Sequence, residues 1–258
     1  MGGHLKNYYK VINNFRYLTV TAAGFEIIRK FASSNMLNKM IERDGKTVLA
    51  EFRRNTGGLD VSGRWFDGNV RLWHWLFETW TSDRSTPLEM LEIGSWEGLS
   101  ANFMLWQFPA ARLTCVDTWE GSDEHRDGSM ASGETLTRIE SRFDDNCRPY
   151  ADRIVKRKQR SSQFFAAHDP DRKFDLIYVD GSHHAHDVMA DALGASRLVK
   201  AGGVIVFDDY LWRHYARIWQ NPAPAINWFI RSARDQFEIL YVGAQVILRR
   251  LPAAEASA

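Results

Sequence analysis

From Leu88 onward the chain alternates short apolar, β-prone runs with amphipathic stretches of helical length, and this alternation restricts the fold more than any other feature. The β-prone runs are LEMLEIG (88–94), ARLTCVD (111–117), RIVKRKQ (153–159), FDLIYVD (174–180) and GGVIVFDD (202–209). Between and after them the periodicity predicts helices over SANFMLWQF (100–108), TLTRIESRFDDNCRPY (135–150), SSQFFAAH (161–168), HAHDVMADALGASRLV (184–199) and AINWFIRSARD (225–235). Residues 121–136 are polar and rich in Gly and Ser, so most of that stretch reads as a loop. Two last runs, QFEILYVG (236–243) and AQVILRRL (244–251), meet at the tight turn YVGAQ and should pair as a hairpin.

Strands joined by helices through right-handed crossovers lie parallel. The expected fold is therefore α/β: a doubly wound, Rossmann-like seven-stranded sheet, with five parallel strands and a C-terminal β-hairpin that supplies an antiparallel strand. Residues 1–85 read as a helical N-terminal extension, serving as a substrate cap or in dimerisation, and residues 86–251 as the sheet domain. The tail at 252–258 has no reason to be ordered. In the extension, TAAGFEIIRKFASSNMLNKMIERD (21–44) is helical in period, RNTGGLD (54–60) breaks the pattern, and GNVRLWHWLFETW (68–80) resumes it. Four tryptophans, Trp65, Trp73, Trp75 and Trp80, fall within sixteen positions. They suit either core packing or the wall of a ligand site. Residues 60–80 are expected over the C-terminal ends of the strands, with Trp65 or Phe66 closing the mouth of a site; an interface between two copies would bury the same rings.

Several function classes are disfavoured. Lys and Arg number 33 against 32 Asp and Glu, a net charge of +1, which argues against a nucleic-acid scaffold. The one dense basic run, VKRKQR (155–160), reads as a solvated strand edge. The two cysteines, Cys115 and Cys147, form no disulfide framework or metal-binding spacing. No apolar stretch reaches membrane-spanning length, and the N-terminus has no secretory pattern, so a cytoplasmic protein is expected.

The chemistry gathers where strands end. Gly94 and Gly98 flank Ser95-Trp96-Glu97, a turn out of the first strand into a helix. Position 96 is Trp and no glycine follows at 99, so the dinucleotide fingerprint is absent and a dehydrogenase is disfavoured. Glu92, before this turn, could accept a hydrogen bond from a cationic amine. Asp117, with Thr118 and Trp119 after it, ends the second strand, where a carboxylate can grip ribose hydroxyls. Ser162 and Gln163 could read an adenine edge or cap their helix. Asp180, Asp208 and Asp209 end the fourth and fifth strands. Three such carboxylates repel unless neutralised, and a hard divalent cation such as Mg²⁺ would neutralise them. Asp180 could equally cap the following helix, and Asp209 could tie down the loop after it. His183, His184 and His186 follow Asp180; His183 is the best general-base candidate, because imidazole titrates near neutrality. Tyr210, Trp212 and His214 could line an acceptor pocket.

Glu92-Ile93-Gly94 with Gly98, Asp117, FDLIYVDGSH and LVKAGGVIVFDDY together resemble a class I S-adenosylmethionine-dependent methyltransferase, closest in type to bacterial small-molecule O-methyltransferases of the catechol and macrolide-sugar kind. The resemblance covers roughly residues 88–250. It implies a cofactor site of Glu92, Gly94, Ser95, Trp96, Gly98, Asp117, Thr118, Trp119, Ser162, Gln163 and Asp180. It implies a metal held by Asp180, Asp208 and Asp209, with Asp180 and His183 in the catalytic step. Catechol-type enzymes carry a lysine base near His183, and this chain departs from that pattern. The implied reaction is metal-assisted O-methylation of a small hydroxylated molecule. The alternatives are metal-independent transfer with His183 as base, and a non-catalytic binding domain of the same fold.

Overall fold

β-branched and aromatic residues concentrate in seven runs, and each becomes a strand: β1 (Glu89–Ile93), β2 (Arg112–Asp117), β3 (Ile154–Lys158), β4 (Phe174–Val179), β5 (Val199–Phe207), β6 (Phe237–Val242) and β7 (Val246–Arg250). The structure, a computed structural model, describes residues 22–81, 83–126 and 133–252. The strands form one mostly parallel seven-stranded sheet in the order β3-β2-β1-β4-β5-β7-β6, the topology expected of a Rossmann-like fold. β6 and β7 make the expected hairpin, and β7 lies antiparallel to β5 as well. The first residues of the N-terminal extension and nearly all of the 252–258 tail lie outside the described residues.

The helices are α1 (Ala22–Asp44), α2 (Lys46–Asn55), α3 (Val70–Trp80), α4 (Leu99–Gln107), α5 (Asp123–Arg126), α6 (Gly133–Cys147), α7 (Ser161–Ala167), α8 (Ala185–Leu198) and α9 (Pro222–Ser232). α2 is not separable from α1 by periodicity. Val48, Leu49 and Phe52 face its buried side, and it ends at Thr56, whose hydroxyl donates to the Phe52 carbonyl at 2.6 Å before the glycine pair.

Two compact units divide the chain, one of residues 35–164 and one of residues up to 34 with 165 onward. In the first, β1, β2 and β3 run parallel in register, Leu91 beside Thr114 and Thr114 beside Val155. Its core is aromatic: Phe52 meets Phe103 edge-on at 5.1 Å, Phe77 meets Phe108 at 4.8 Å, and Phe66 meets Trp73 at 5.3 Å. Burying such rings contributes about 1.5–3 kcal/mol each. Trp73 is thus core, whereas Trp65 stays exposed. The basic run on β3 is a solvated strand, as expected. Lys156 pairs with Glu140 and Asp144 of α6, and Lys158 with Glu140. Charge on an edge strand also discourages pairing with other chains.

In the second unit β4 and β5 are parallel, Ile177 beside Ile205, and nearly every residue of FDLIYV and VIVF is buried. Such double-sided burial is why these strands read as continuous apolar runs rather than alternating ones. No helix among the described residues is long and apolar enough to cross a membrane.

Candidate active site

The strand-end residues gather in two clusters, one in each unit. In the unit of residues 35–164, the chain leaves β1 through Gly94, at φ 88°, and enters α4 through Gly98, at φ 83°. Between them Trp96 also takes a left-handed backbone, φ 46°, and so does Trp119 after β2, φ 54°. A non-glycine residue holds that conformation only when its surroundings impose it. Asp117 is what imposes it. One carboxylate oxygen accepts from the Trp96 amide at 2.9 Å and the other from the Trp119 amide at 2.7 Å. The Trp119 indole then donates to the Trp96 carbonyl at 2.9 Å, which joins the two turns a second time. Asp117 is half-buried, and burial pushes its carboxyl up against the pull of those amides. The amides of Ser95 and Thr118 also pull on this carboxylate, which faces the turn where a diol would be held.

Other members of this cluster are placed differently from one another. Glu92 is fully buried. It accepts from the hydroxyl of Ser100 and, at 3.7 Å, from the Cys115 thiol, and burial raises its carboxyl to about 7. Ser95 is buried and Thr118 half-buried, with the Thr118 hydroxyl accepting from the Glu120 amide at 3.3 Å. The Trp119 ring packs on Phe143 at 4.9 Å, with the Lys156 ammonium over it at 4.6 Å, so it serves as a floor for the turn. The Trp96 ring stacks on His125 at 4.2 Å and lies 5.8 Å from Trp65. The Trp96 indole N–H is buried and has no protein partner among the described residues. Of the two rings expected at the mouth of a site, Trp65 stands beside the glycine turn, and Phe66 points into the aromatic core. Ser162 is exposed, and the Gln163 side chain accepts from the Arg160 amide at 3.1 Å, which is the helix-capping alternative for this pair.

The second cluster lies at the ends of β4 and β5. Asp180, His183 and Asp209 each offer one ligand atom, and those atoms lie within 4.8 Å of one another. His183 Nε2 is 2.8 Å from Asp209 Oδ2 and 4.0 Å from Asp180 Oδ1. The sequence places Asp208 in this set. Its carboxylate instead accepts from the Tyr178 hydroxyl, from Gln245 Nε2 at 2.9 Å and from the Asp209 amide at 2.8 Å. Tyr178 is also 2.9 Å from Asp180 Oδ2. A hydroxyl carries one proton, so it donates to one carboxylate and, to be satisfied at the other, must accept from it. The electrostatics agree. Burial first, then repulsion from Asp208, drives Asp180 well above the usual carboxylate range, and burial and Asp209 raise Asp208 to about 6. Tyr178 thus links two acids that burial and repulsion between carboxylates both push up. Three carboxylates share one imidazole at these strand ends, and a hard divalent cation fits their oxygen donors.

Asp180 is not at the N-cap of the helix after β4: α8 starts at Ala185 with His184 at its N-cap, and the Ser182 hydroxyl donates to Asp187 at 2.7 Å. The three histidines diverge. His183 packs on Trp212 at 4.5 Å, His184 stacks on Tyr215 at 3.8 Å, and His186 is exposed. Asn221 fixes this aromatic loop by accepting from the amides of His214 and Tyr215 and donating to the carbonyls of Tyr215 and Arg217. Tyr210 is buried, with its hydroxyl donating to Asn227 at 2.8 Å.

Residues 91–210 match a family model described as a methyltransferase domain. The solved structures similar to this chain include SAH-bound methyltransferase PaMTH1 from Podospora anserina (16% identity, 86% of this chain, 96% of that one, TM-score 0.53). The O-methyltransferase TomG from Streptomyces achromogenes, involved in tomaymycin synthesis, was solved with S-adenosylmethionine (16% identity, 88% and 99%, TM-score 0.50). MycE methyltransferase from the mycinamycin biosynthetic pathway was solved with Mg, SAH and mycinamycin VI (16% identity, TM-score 0.53). The match with MycE spans 81% of this chain and only 56% of that one. No curated protein matches by sequence. At such identities the structures speak for the fold. The matched family model adds that residues 91–210 resemble a methyltransferase domain on that fold.

Proposed function

We propose that the protein is a divalent-metal-assisted O-methyltransferase of a small hydroxylated molecule. The observation that carries this reading is the cluster of Asp180, His183 and Asp209, with Asp208 held beside it by Tyr178 and Gln245. S-adenosylmethionine, when bound, supplies an activated methyl group on a sulfonium, and Asp117 with the turn of Gly94, Ser95, Trp96 and Gly98 would hold it. Mg²⁺, when bound by Asp180 and Asp209 with Asp208 beside them, would lower the pKa of an acceptor hydroxyl. His183, whose Nε2 faces the Asp209 carboxylate at 2.8 Å and so carries the ring proton, would take the hydroxyl proton on its other nitrogen. Trp212, packed on His183, would hold the imidazole's orientation and exclude water from it. The small-molecule acceptor is favoured by the fold likeness to MycE and TomG, whose own named pathways make small molecules.

A second reading, metal-free transfer, draws on the 2.8 Å approach of His183 Nε2 to Asp209, a charge that would favour the imidazolium formed when His183 takes a proton. Calorimetry with Mg²⁺, followed by turnover of a hydroxylated acceptor with and without chelator, separates the two. Turnover that survives chelation undiminished rejects the metal.

A further inference from the structure

We propose that Glu97 is a positioning residue for the cofactor. It fastens the segment Asp60–Trp65 to the glycine turn and thereby sets Trp65 against Trp96. The inference rests on the reading of that turn as the S-adenosylmethionine site.

Glu97 sits between Trp96 and Gly98, both left-handed, and its carboxylate is 1% exposed. Both oxygens are taken. Oε1 accepts from Arg142 Nη1 at 2.7 Å, and Oε2 from the Ser62 amide at 2.6 Å and its hydroxyl at 2.9 Å. Arg142 Nε reaches Asp60 Oδ2 at 3.1 Å, and Arg138 joins the same oxygen at 2.8 Å. Asn146 clamps the main chains: it accepts from the Asp60 amide and donates to the carbonyls of Asp60 and Glu97. Asp60 and Ser62 are thus held to the turn by side chain and backbone at once.

The residues after Ser62 are equally fixed. A Cβ on Gly63 would meet the Trp65 ring at 2.6 Å. Arg64 pairs with Asp67 at 3.0 Å and donates to the Thr56 hydroxyl at 2.8 Å, and Phe66 is buried among Phe52, Trp73 and Phe103. The exposed Trp65 ring is therefore mounted on a rigid step. It lies on the Trp96 side chain, whose other neighbour is His125.

A buried ion pair is a poor way to gain stability, because desolvation offsets most of its attraction. Its better use is to fix a register that apolar packing would leave loose. The register fixed here is that of Trp65 on Trp96. Segment 60–65 is accordingly a built part of the cofactor turn, and its loss would leave Trp96 to be ordered by the ligand at a cost in affinity.

The test is a double-mutant cycle on S-adenosylhomocysteine binding by calorimetry, with Glu97→Gln, Trp65→Ala and the double mutant in the full chain. Each single change should weaken binding roughly 3-fold to 15-fold, the cost of one side chain left for the ligand to order. The double mutant should be no weaker than the weaker single mutant, because both changes break one coupled unit. KM for S-adenosylmethionine should rise while kcat holds. Trp65→Ala removes an exposed ring and does not threaten folding; Ser62→Ala, which deletes one of the bonds to Glu97, serves if Glu97→Gln does not fold. The inference is overturned if the single mutants bind within about twofold of wild type whatever their melting temperatures, or if the losses multiply. Wild-type protein that binds no S-adenosylhomocysteine would overturn the cofactor reading, and the inference with it.

Discussion

A Cβ added to Gly98 would stand 2.4 Å from the Sγ of Cys147, so the entry to α4 and the end of α6 touch with no space for a side chain between them. Gly98 also has φ 83°, which adds backbone strain to the steric conflict. Gly98→Ala should therefore destabilise the fold by roughly 2–4 kcal/mol, from strain and overpacking together. Adding Cys147→Ala should restore part of that loss by removing the sulfur. Denaturant melts of the two variants check this, and equal stability of both would show that strain alone matters.

Asp117→Ala should weaken S-adenosylmethionine about 10-fold to 100-fold, the loss of charge-assisted hydrogen bonds. Because Asp117 also holds the Trp96 and Trp119 turns, Asp117→Asn should lose less than the alanine, keeping one acceptor for a backbone amide. Calorimetry on folded protein decides, and affinity within twofold of wild type for the alanine variant would refute the assignment.

Asp208→Asn with Asp209→Asn should abolish divalent-ion dependence and most turnover while leaving cofactor affinity nearly intact. The measurements are Mg²⁺ titration of melting temperature and turnover. A variant still stabilised by Mg²⁺ to the wild-type extent would place the ion elsewhere.

Tyr178→Phe removes the hydroxyl that Asp180 and Asp208 share. Without cation, the variant should lose about 1–3 kcal/mol, the penalty of two buried acceptors left with one donor fewer. With saturating Mg²⁺ the loss should shrink, since the ion satisfies the same oxygens. Melts at about pH 7.5, near neutrality where the unperturbed carboxylates are ionised, with and without Mg²⁺ would show it; a loss that is equal in both conditions refutes the shared role.

Glu92 has a carboxyl raised to about 7 from an ordinary 4.5. Between those values the unfolded chain has released the proton and the folded chain retains it, so this group lowers stability as pH rises from 4.5 to 7. Glu92→Gln removes that dependence and keeps an acceptor for Ser100. The variant should melt higher than wild type at about pH 8, above the folded value, and lose the advantage near pH 4.5. A constant difference across the range would show that Glu92 does not titrate there.

The sheet was legible because its signals are local. Each of the seven apolar runs is short, bounded by turn residues, and correctly placed from Leu88 to Arg250. α2 was hidden because Gly45, which separates it from α1, is the only interruption in a pattern that stays helical on both sides. The strand-end acids were legible for the same local reason. Tyr178 was within reach too: it lies in β4 two residues before Asp180, and period-two alternation carried one step past the strand puts both on one face. Gln245, Ser62 and Asn146 were not within reach. Gln245 is 37 residues from Asp208, Ser62 is 35 from Glu97, and Asn146 is 86 from Asp60, separations at which only the folded chain reveals a partner.

Asp209 has φ 55°, the left-handed backbone at the end of β5. Few residues other than glycine rest there; Asp and Asn are the usual exceptions, because their short side chains can bond locally. The fold thus narrows the choice at this position before any chemistry is considered. Glutamate would keep the charge and strain the chain; asparagine would keep the chain and drop the charge. Were Asp209 to hold the proposed metal, drift to asparagine would silence that site in a single step that the backbone scarcely registers, and the reverse step would restore it without the fold having to change.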